Sequence, residues 1–529
     1  MGAIYSRAST VVSWLGTDNN GEMDSAVTAM KSFQHVAGSV PGWLEDLYWM
    51  RDYPSLLEVD NNLDGIPNHT WRSLQTFFSS SYWGRVWILQ EMALARSLWV
   101  MVGQHILDYE DVKSSIELIR HLSSGSRPGK SVLPYKLGYF LWWNEQIPTQ
   151  VHITVEEFRN RAKGLEPLDD VDKLEAIFST RDFQATNPVD KVFALQGLLG
   201  NFITPDYGKS PSEVFCELTS RWIETTGDLY HLRFAGTTLQ LPETPGLSLP
   251  SWVPDWQGIS FADSWQAFPA LASNSNIGLD ILCVTQPRVL DELRLRVNAC
   301  ICDTISEIEP IYDGESTNLA RLYRNFMKMS TDIECLTKVP YLQAILRTIL
   351  ADSGSEHEDH ISELEHLSVQ SLLLAVVYFL DGLSSSPPIF ETLQATVEEL
   401  GIASENHITS LLQEIFPSTT TNDCWQSEKE LCLRILGQGI FLRPHLWRCL
   451  REKQQLFYTS AGYIGSSLHG IRAGDIVCII QGCPCPVLLR REGSHFLHLG
   501  TCFVLGLMDG EAALRVKQGS IKIEEVDIV

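Results

Sequence analysis

From Arg85 to Ala95 the chain reads Arg-Val-Trp-Ile-Leu-Gln-Glu-Met-Ala-Leu-Ala, and eight of the ten residues from Val86 to Ala95 are apolar. A helix of this composition is greasy nearly all round and must be mostly buried. Only Gln90 and Glu91 break it. Burying a carboxylate without partners costs several kcal/mol or drives its pKa upward, so Glu91 has to be paired, protonated or exposed in a cleft. Arg85 and Arg96 lie six and five positions away, outside the i±3 and i±4 spacings that pair side chains along a helix. The partner therefore comes from elsewhere in the chain or is a ligand. The Trp87-x-x-x-Glu91 spacing sets an aromatic ring and a carboxylate one helical turn apart on one face, an arrangement suited to a ribose hydroxyl or a developing oxocarbenium ion. A structural Glu91, paired with a distant arginine such as Arg72, is the competing reading.

The surrounding pattern alternates strand and helix. Val11 to Gly16 reads as a short buried strand. Asp24 or Ser25 can cap a helix carrying Ala26, Met30, Phe33 and Ala37 at helical spacing. A helix from about Thr70 to Phe78 leads through a serine-rich turn to the Trp87 to Ala95 helix. Leu98 to Gly103 is a second apolar strand, expected beside Val11 to Gly16 and parallel to it. Asp108 and Asp111 form a capping pair for a helix with Val112, Ile116 and Ile119 on one face. Such alternation implies a parallel α/β sheet. Ser123 to Pro134 reads as a linker, about 135 to 235 as mainly helical, with a helix from Pro211 to about Thr226, and Leu249 to Trp256 as an extended aromatic segment packed over a core. Residues 285 to 310 alternate as strands, and 315 to 440 return to helix around an acidic loop at Ser353 to Asp359. From Leu456 onward, glycine-rich turns separate β-type runs at Ile476 to Ile480, Val487 to Leu489 and Phe503 to Leu507, the pattern of a small antiparallel sheet or barrel. Its apolar runs require a covering layer, so the tail is expected to pack on the rest of the chain.

Composition narrows the function classes. The 529 residues carry a formal net charge of −25, which argues against nucleic acid or an anionic membrane as a direct partner. No Walker loop, H-E-x-x-H or G-x-S-x-G occurs, so the common NTPase and hydrolase classes lose support. The longest apolar run, Leu372 to Leu380, falls short of the roughly 20 residues of a membrane span. The twelve cysteines are irregularly spaced and all lie from Cys216 onward, and no leader precedes the fold, so a reducing cytosol is the expected compartment. Met1-Gly2-Ala3-Ile4-Tyr5-Ser6 satisfies the myristoylation template, although an ordinary helix end explains the same residues. Cys483-x-Cys485, His495-x-x-His498 and Cys502 hold zinc-type donors, but their spacing is unlike a zinc site and strand residues account for them; no metal is assigned. The run from Asp352 to His366 reads as a solvated face. Gly462 and Gly465 read as turn glycines. Asp190, at the head of Val192-Phe193-Ala194-Leu195, is explained by the helix dipole.

Tyr82-Trp83-Gly84-Arg85-Val86-Trp87-Ile88-Leu89-Gln90-Glu91-Met92-Ala93-Leu94-Ala95 resembles the "RxWxxQE…A" signature of the fungal heterokaryon-incompatibility (HET) domain. Further blocks agree in order: Ile4-Tyr5-Ser6-Arg7-Ala8 running into Val12-Ser13-Trp14-Leu15-Gly16, Asp190 to Leu195, Leu249 to Trp256, and a last block from Phe457 to Glu511 that includes Gly474-Asp475 and Leu489-Arg490. The resemblance implies α/β architecture with a partial TIR-like parallel sheet, followed by a mainly helical middle and a small antiparallel β C-terminal region. It divides the chain into 1–125 (the C-terminal portion of a HET domain), 126–260, 261–455 and 456–529. Family members usually carry upstream "LSYxWG" and "WIDAxCINQ" strands, so an N-terminally shortened domain is expected. By resemblance the protein is an effector or regulator of fungal self/non-self recognition and programmed cell death, working through protein partners or self-association. A non-catalytic protein that keeps part of the fold is the alternative. The remote likeness of HET to TIR domains would make Glu91 the catalytic residue and Trp87 a ligand-binding residue, with NAD as a substrate rather than a cofactor. The chain as written is expected to show no NAD cleavage, in contrast to a form extended upstream.

Overall fold

The computed structural model describes residues 2–18, 21–59, 68–123, 150–162, 183–200, 203–236, 248–257, 286–291, 293–310, 454–468, 470–508 and 510–529, together with a few single positions between them. The chain divides into two compact units, residues 1–214 and 215–529. The expected linker at Ser123 to Pro134, the helices of 315–440 and the acidic loop lie, wholly or almost so, outside the described residues.

In the first unit, α1 (Gly2–Arg7) leads into β1 (Val11–Trp14), then α2 (Met23–Ser39), a 3-10 turn at Leu47–Asp52, and α3 (Pro54–Leu57). Helix α2 buries Ala26, Met30 and Phe33 as its spacing requires. Its first turn is held from outside: the Asp18 carboxylate accepts the backbone N–H groups of Glu22 and Met23 at 3.1 and 3.2 Å. Asp24 is thus not the cap, and pairs instead with His105 at 3.0 Å. Helix α4 (His69–Phe78) starts at Asn68, whose side chain accepts the Trp71 amide. Helix α5 (Ile88–Ala93) is shorter than the apolar run, because Trp87 stands at its N-cap and Leu94 at its C-cap. Ile88, Leu89, Gln90 and Met92 are nevertheless buried.

Strands β1 and β2 (Leu98–Val102) pair in parallel, Val11 opposite Leu98 and Trp14 opposite Met101. The sheet does not continue in parallel. A two-residue loop, Gly103-Gln104, turns the chain back as β3 (His105–Asp108), antiparallel to β2. Gly103 takes φ +56°, a conformation in which a Cβ is disfavoured. The result is a mixed three-stranded sheet in the order β1-β2-β3. Helix α6 (Tyr109–Ser123) follows, its start closed by reciprocal bonds: Asp108 N–H to Asp111 Oδ2, and Glu110 N–H to Asp108 Oδ1. Helix α7 (Gln150–Ala162) packs on α5, and its Arg159 guanidinium donates to the Met92 carbonyl at the C-terminal end of α5. That interaction places a cation where the helix dipole is negative. Short helices α8 (Asp190–Phe193) and α9 (Gln196–Leu199) precede α10 (Pro211–Thr226).

The second unit is a closed β structure. Its strands are β4 (Arg288–Asp291), β5 (Arg294–Pro310), β6 (Gln455–Thr459), β7 (Ile464–Ser467), β8 (Ile476–Ile480), β9 (Val487–Glu492), β10 (His495–Thr501), β11 (Phe503–Val504) and, after α11 (Glu511–Lys517), β12 (Ile523–Ile528). Strand β5 is long enough to serve two sheets. Its first half pairs with β12 on one side and β8 on the other, so β5-β12-β10-β9-β8 closes on itself; its second half pairs with β6, which continues to β7 and β11. All these pairings are antiparallel except β10 with β12. Closure removes free edges and gives the tail its interior, lined by Cys300, Cys302, Val477, Ile479, Leu488, Leu499 and Cys502 among others. The tail's apolar runs are thus covered by a strand from before residue 311. The Leu249 to Trp256 segment has no regular structure and seals this unit: Trp252 is fully buried with its indole N–H on the Leu293 carbonyl, and the Ser251 amide donates to the Val529 carbonyl.

The glycine expectation is corrected at one of its two positions. Gly462, at φ +94°, is a turn glycine. Gly465 lies inside β7, where a Cβ would sit 2.2 Å from the Phe457 ring and 2.8 Å from the Phe503 carbonyl oxygen. It is glycine because the Phe457 ring and the Phe503 carbonyl leave no room for a Cβ, not because of a turn.

Candidate functional site

Residues 79–87 carry the chain from α4 to α5 in tight turns anchored at both sides. The Trp83 indole donates to the Phe77 carbonyl at 2.8 Å, and Val86 N–H donates to the Gln184 carbonyl at 3.0 Å. Gln184 also donates to the Gly84 carbonyl, so segment 84–86 is clasped by residue 184. These bonds fix the entry of α5 and thereby the direction of its two polar side chains.

The partner of Glu91 is Tyr82, from that turn. Its hydroxyl donates to Glu91 Oε2 at 3.1 Å. Burial pushes the Tyr82 phenol well up, the Glu91 carboxylate adds to the rise, and the Ser13 hydroxyl and Arg85 act against it. Tyr5, from α1, is also raised, first by burial and then by Glu91, again with Arg85 opposing. Both phenols therefore stay protonated at any physiological pH and present donors to the carboxylate. Arg85 places its guanidinium 5.8 Å from the Tyr82 ring centre, within cation–π range. The array comes from four places in sequence: α1, β1, the 79–87 turn and α5. It is half-buried, since Tyr5, Tyr82 and Glu91 all keep some exposure.

Trp87 is engaged separately. Its indole N–H donates to Asp190 Oδ2 at 3.1 Å, and the Tyr207 hydroxyl donates to Asp190 Oδ1 at 2.9 Å. The Tyr207 phenol is pushed up to about 12 by burial and by the Asp190 carboxylate. Asp190 thus does more than complement a helix dipole, because it bridges two aromatic side chains. Gln90, buried, donates to the Ala194 carbonyl at 2.6 Å, and a Cβ on Gly197 would lie 2.9 Å from its amide oxygen. Gly2 lies against the same amide, where a Cβ would be 3.4 Å from that oxygen and 3.3 Å from Leu94.

Sequence spacing singled out Glu91 and Trp87 and read Asp190 only as a complement to a helix dipole, and it gave no sign of Tyr82, Tyr5 or Tyr207 beside them. Tyr82 stands nine positions before Glu91 and Asp190 stands 103 after Trp87, separations that no helical or strand period flags. The Cys/His group of the tail resolves into separate contacts. His498 Nε2 donates to the Leu232 carbonyl at 2.9 Å, and the Cys483 thiol lies 3.4 Å from the Cys485 carbonyl. Among the described residues, no three histidine, cysteine or acidic side chains gather as a metal would require. No helix among them is long and apolar enough to cross a membrane.

The chain joins a mixed α/β unit, whose buried helix offers a phenol-bound carboxylate, to a closed β-barrel unit. Residues 1–91 match the heterokaryon incompatibility protein (HET) family, and residues 428–521 match the Het-6 beta-barrel domain. The chain is thus similar to HET proteins over its first 91 residues and to the Het-6 barrel over its tail. It is 22% identical to heterokaryon incompatibility protein 6, OR allele, of Neurospora crassa, in an alignment of 574 positions that covers 96% of this chain and 78% of that protein. No solved structure matches.

Proposed function

We propose that this protein acts in fungal self/non-self recognition of the heterokaryon-incompatibility type, as an effector or regulator of the cell-death response, through protein partners or self-association. The likeness to an incompatibility protein along nearly the whole chain supports this reading. In it the parallel pair β1–β2 with α5 is the TIR-like part of the first unit, and Glu91 is the residue on which the response depends.

The observation that carries the assignment to Glu91 is its hydrogen bond from Tyr82 beside Tyr5 and Arg85. Two neutral donors and a nearby cation hold an anionic acceptor at a half-exposed position, which suits recognition of a hydroxyl-bearing group such as a ribose. In the catalytic form of the reading, Glu91 stabilises the oxocarbenium character that develops when a sugar–base bond such as that of NAD breaks. Trp87 lines the ligand's path from its position against Asp190. In the non-catalytic form, favoured by the engagement of Glu91 with Tyr82, the same array orders α5 for a protein partner.

The deciding experiment expresses the wild-type chain and Glu91→Gln in a filamentous fungus, alone and in mixed cultures of unlike strains, and scores growth arrest. Arrest by the wild type that Glu91→Gln relieves supports the reading. Absence of arrest in every pairing overturns it. Nicotinamide release by the purified protein then separates the two forms: release abolished by Glu91→Gln supports the catalytic one, and arrest without release supports the non-catalytic one.

A further inference from the structure

The sheet β1-β2-β3 buries one face and leaves the other open. Val11, Ser13, Leu98, Val100, Val102 and Leu107 are enclosed on the first, in a unit where α5 contacts β1 while α2 and α6 contact β3. The register sets Val12, Trp99 and Asp108 in one row of the opposite face and Trp14, Met101 and Ile106 in the next. Val12 and Trp14 are 53% and 57% exposed, although parallel strands are ordinarily covered on both faces. They also sit on the outer strand of the sheet. Val11 and Leu15 donate their N–H groups to the Ser97 and Met101 carbonyls beside β2, both at 2.9 Å. Backbone groups alternate sides along a strand, so Val12 and Trp14 turn theirs outward, where no described residue bonds them. From Ala8 to Thr17 the sequence has no charge and no proline, and so lacks the usual devices that keep an edge from pairing.

We propose that β1 pairs with β1 of a second copy of this chain, antiparallel about a twofold axis at Ser13. Val12 then lies opposite the partner's Trp14, the pair exchanges both outward N–H···O bonds, and the axis repeats the pair. On the open face the same residues become cross-strand neighbours, an aromatic ring against a β-branched side chain. Charge selects this occupant and this direction. Arg7 precedes the uncharged stretch and Asp18 follows it, so antiparallel pairing sets the Arg7 end of each copy toward the Asp18 end of the other, where parallel pairing would set like charge against like. A chain of net charge −25 repels its own copies, and the uncharged edge opposes their approach least. So short a strand pair buries less than the roughly 1,200 Å² of a standard interface, which makes the dimer weak, with a Kd of about 10–100 µM. Ser13, at the axis, is wholly buried and its hydroxyl acts on the Tyr82 phenol, which donates to Glu91. Pairing therefore brings two Glu91 arrays to one axis. That consequence rests on the reading of Glu91 above; the pairing does not.

Sedimentation velocity of the full chain from about 2 to 200 µM should show a monomer–dimer equilibrium, and hydrogen exchange in the peptide spanning residues 9–17 should slow as concentration rises. Val12→Pro removes an outward N–H that β2 does not use, and Trp14→Lys places a charge on the edge. Each should weaken dimerisation by about tenfold or more. Both side chains are more than half exposed, and an unchanged melting temperature checks each fold; the exchange of the wild-type peptide decides the matter without either variant. A chain still monomeric at the highest concentration, a dimer that survives both substitutions, or slowed exchange confined to other peptides would each overturn the pairing. Such a failure leaves the Glu91 reading standing, because growth arrest and nicotinamide release are scored separately from association.

Discussion

Lowering the pH from 7 to 5 should destabilise the barrel unit by about 4 kcal/mol, and two buried histidines set that figure. His498, on β10, is fully buried, and its pKa is lowered to about 4, chiefly by burial. Its Nε2 faces the Leu232 carbonyl at 2.9 Å, which makes that nitrogen the protonated one of a neutral ring. His231, also buried, is lowered to about 3 by burial and by the nearness of His498. In the unfolded chain both titrate near 6.5. Above that value neither state binds the protons and stability is unaffected. As pH falls below 6.5 the unfolded chain takes up protons that the folded one refuses, so stability is lost at about 1.4 kcal/mol per pH unit for each histidine. At pH 5 each has lost about 2 kcal/mol by this arithmetic. Asp527, held below its ordinary 3.8 first by its hydrogen bonds from Arg296, contributes stability that is lost only at lower pH, so the window from 6.5 to 5 belongs to the histidines.

The assay is urea unfolding of the full chain with hydrogen exchange read on peptides from β8 to β10. With a urea slope of about 2–3 kcal/mol per molar, the midpoint should fall by roughly 1.3–2 M between pH 7 and pH 5. His498→Gln should cut that fall by about half, whatever it does to the midpoint at pH 7. A midpoint that does not move with pH, or a fall of the same size in the variant, would refute the reasoning.

Three further outcomes follow from buried polar groups and one close approach. Asp475 is 1% exposed and accepts two bonds from Arg490, both at 2.8 Å, as well as the Arg472 amide; Asp475→Ala should cost the barrel unit about 3 kcal/mol by leaving a guanidinium unpaired, measured as a lowered urea midpoint in the same peptides. His152 is buried edge-on against Phe78 and Trp83 with no hydrogen-bond partner for either ring nitrogen among the described residues, and burial lowers its pKa to about 3; His152→Phe should raise the first unit's stability at pH 5 by about 2 kcal/mol relative to wild type and flatten its acid dependence. Gly465→Ala would drive a methyl into the Phe457 ring and should cost about 2 kcal/mol or more by overpacking, with calorimetry as the check.

Local chemistry was legible where a residue's nearest determinants lie within one helical or strand period. The parallel pairing of β1 and β2, the Asp108–Asp111 closure of α6, the bounds of α10 and the strand at Ile476 to Ile480 all rest on such short patterns. What escaped was set by non-local contact. Strand β3 was missed because Gly103-Gln104 lacks the Asn-Gly or Asp-Gly signature of a tight hairpin, although Gly103 supplies the positive φ that the turn needs. The two-sheet role of β5 was hidden because alternation marks a strand but not its partners, and those partners lie 145 or more residues downstream, from the Pro310–Gln455 pair upward. Asp24 looked like a cap because it opens a helix, yet Asp18 reaches the same amides from the preceding loop.

The same distinction bears on Glu91. Reasoning from helical spacing left the carboxylate without a neighbour, and physical cost then demanded a partner or a ligand. The structure supplies a partner from a turn, where no period operates, and supplies it incompletely as burial goes. In the barrel, two buried polar groups are engaged by protein: Asp475 by Arg490, and His498 by the Leu232 carbonyl and by Ser251, which accepts its backbone N–H. Around α5, Glu91, Tyr82 and Tyr5 are half-buried, and Tyr207 on Asp190 is 59% exposed, whereas Gln90 is buried. A purely structural carboxylate in an apolar helix gains by full enclosure with its donors, since water competes for every bond it makes. An array held in place but left open leaves Glu91 reachable from outside the chain without itself separating a structural role from a binding one, and Tyr82→Phe distinguishes the cases. If the Tyr82 bond only secures the fold, the variant should lower stability by about 1 kcal/mol and leave growth arrest in the fungal assay intact. If it positions Glu91 for a ligand or partner, arrest should weaken beyond what that loss of stability explains.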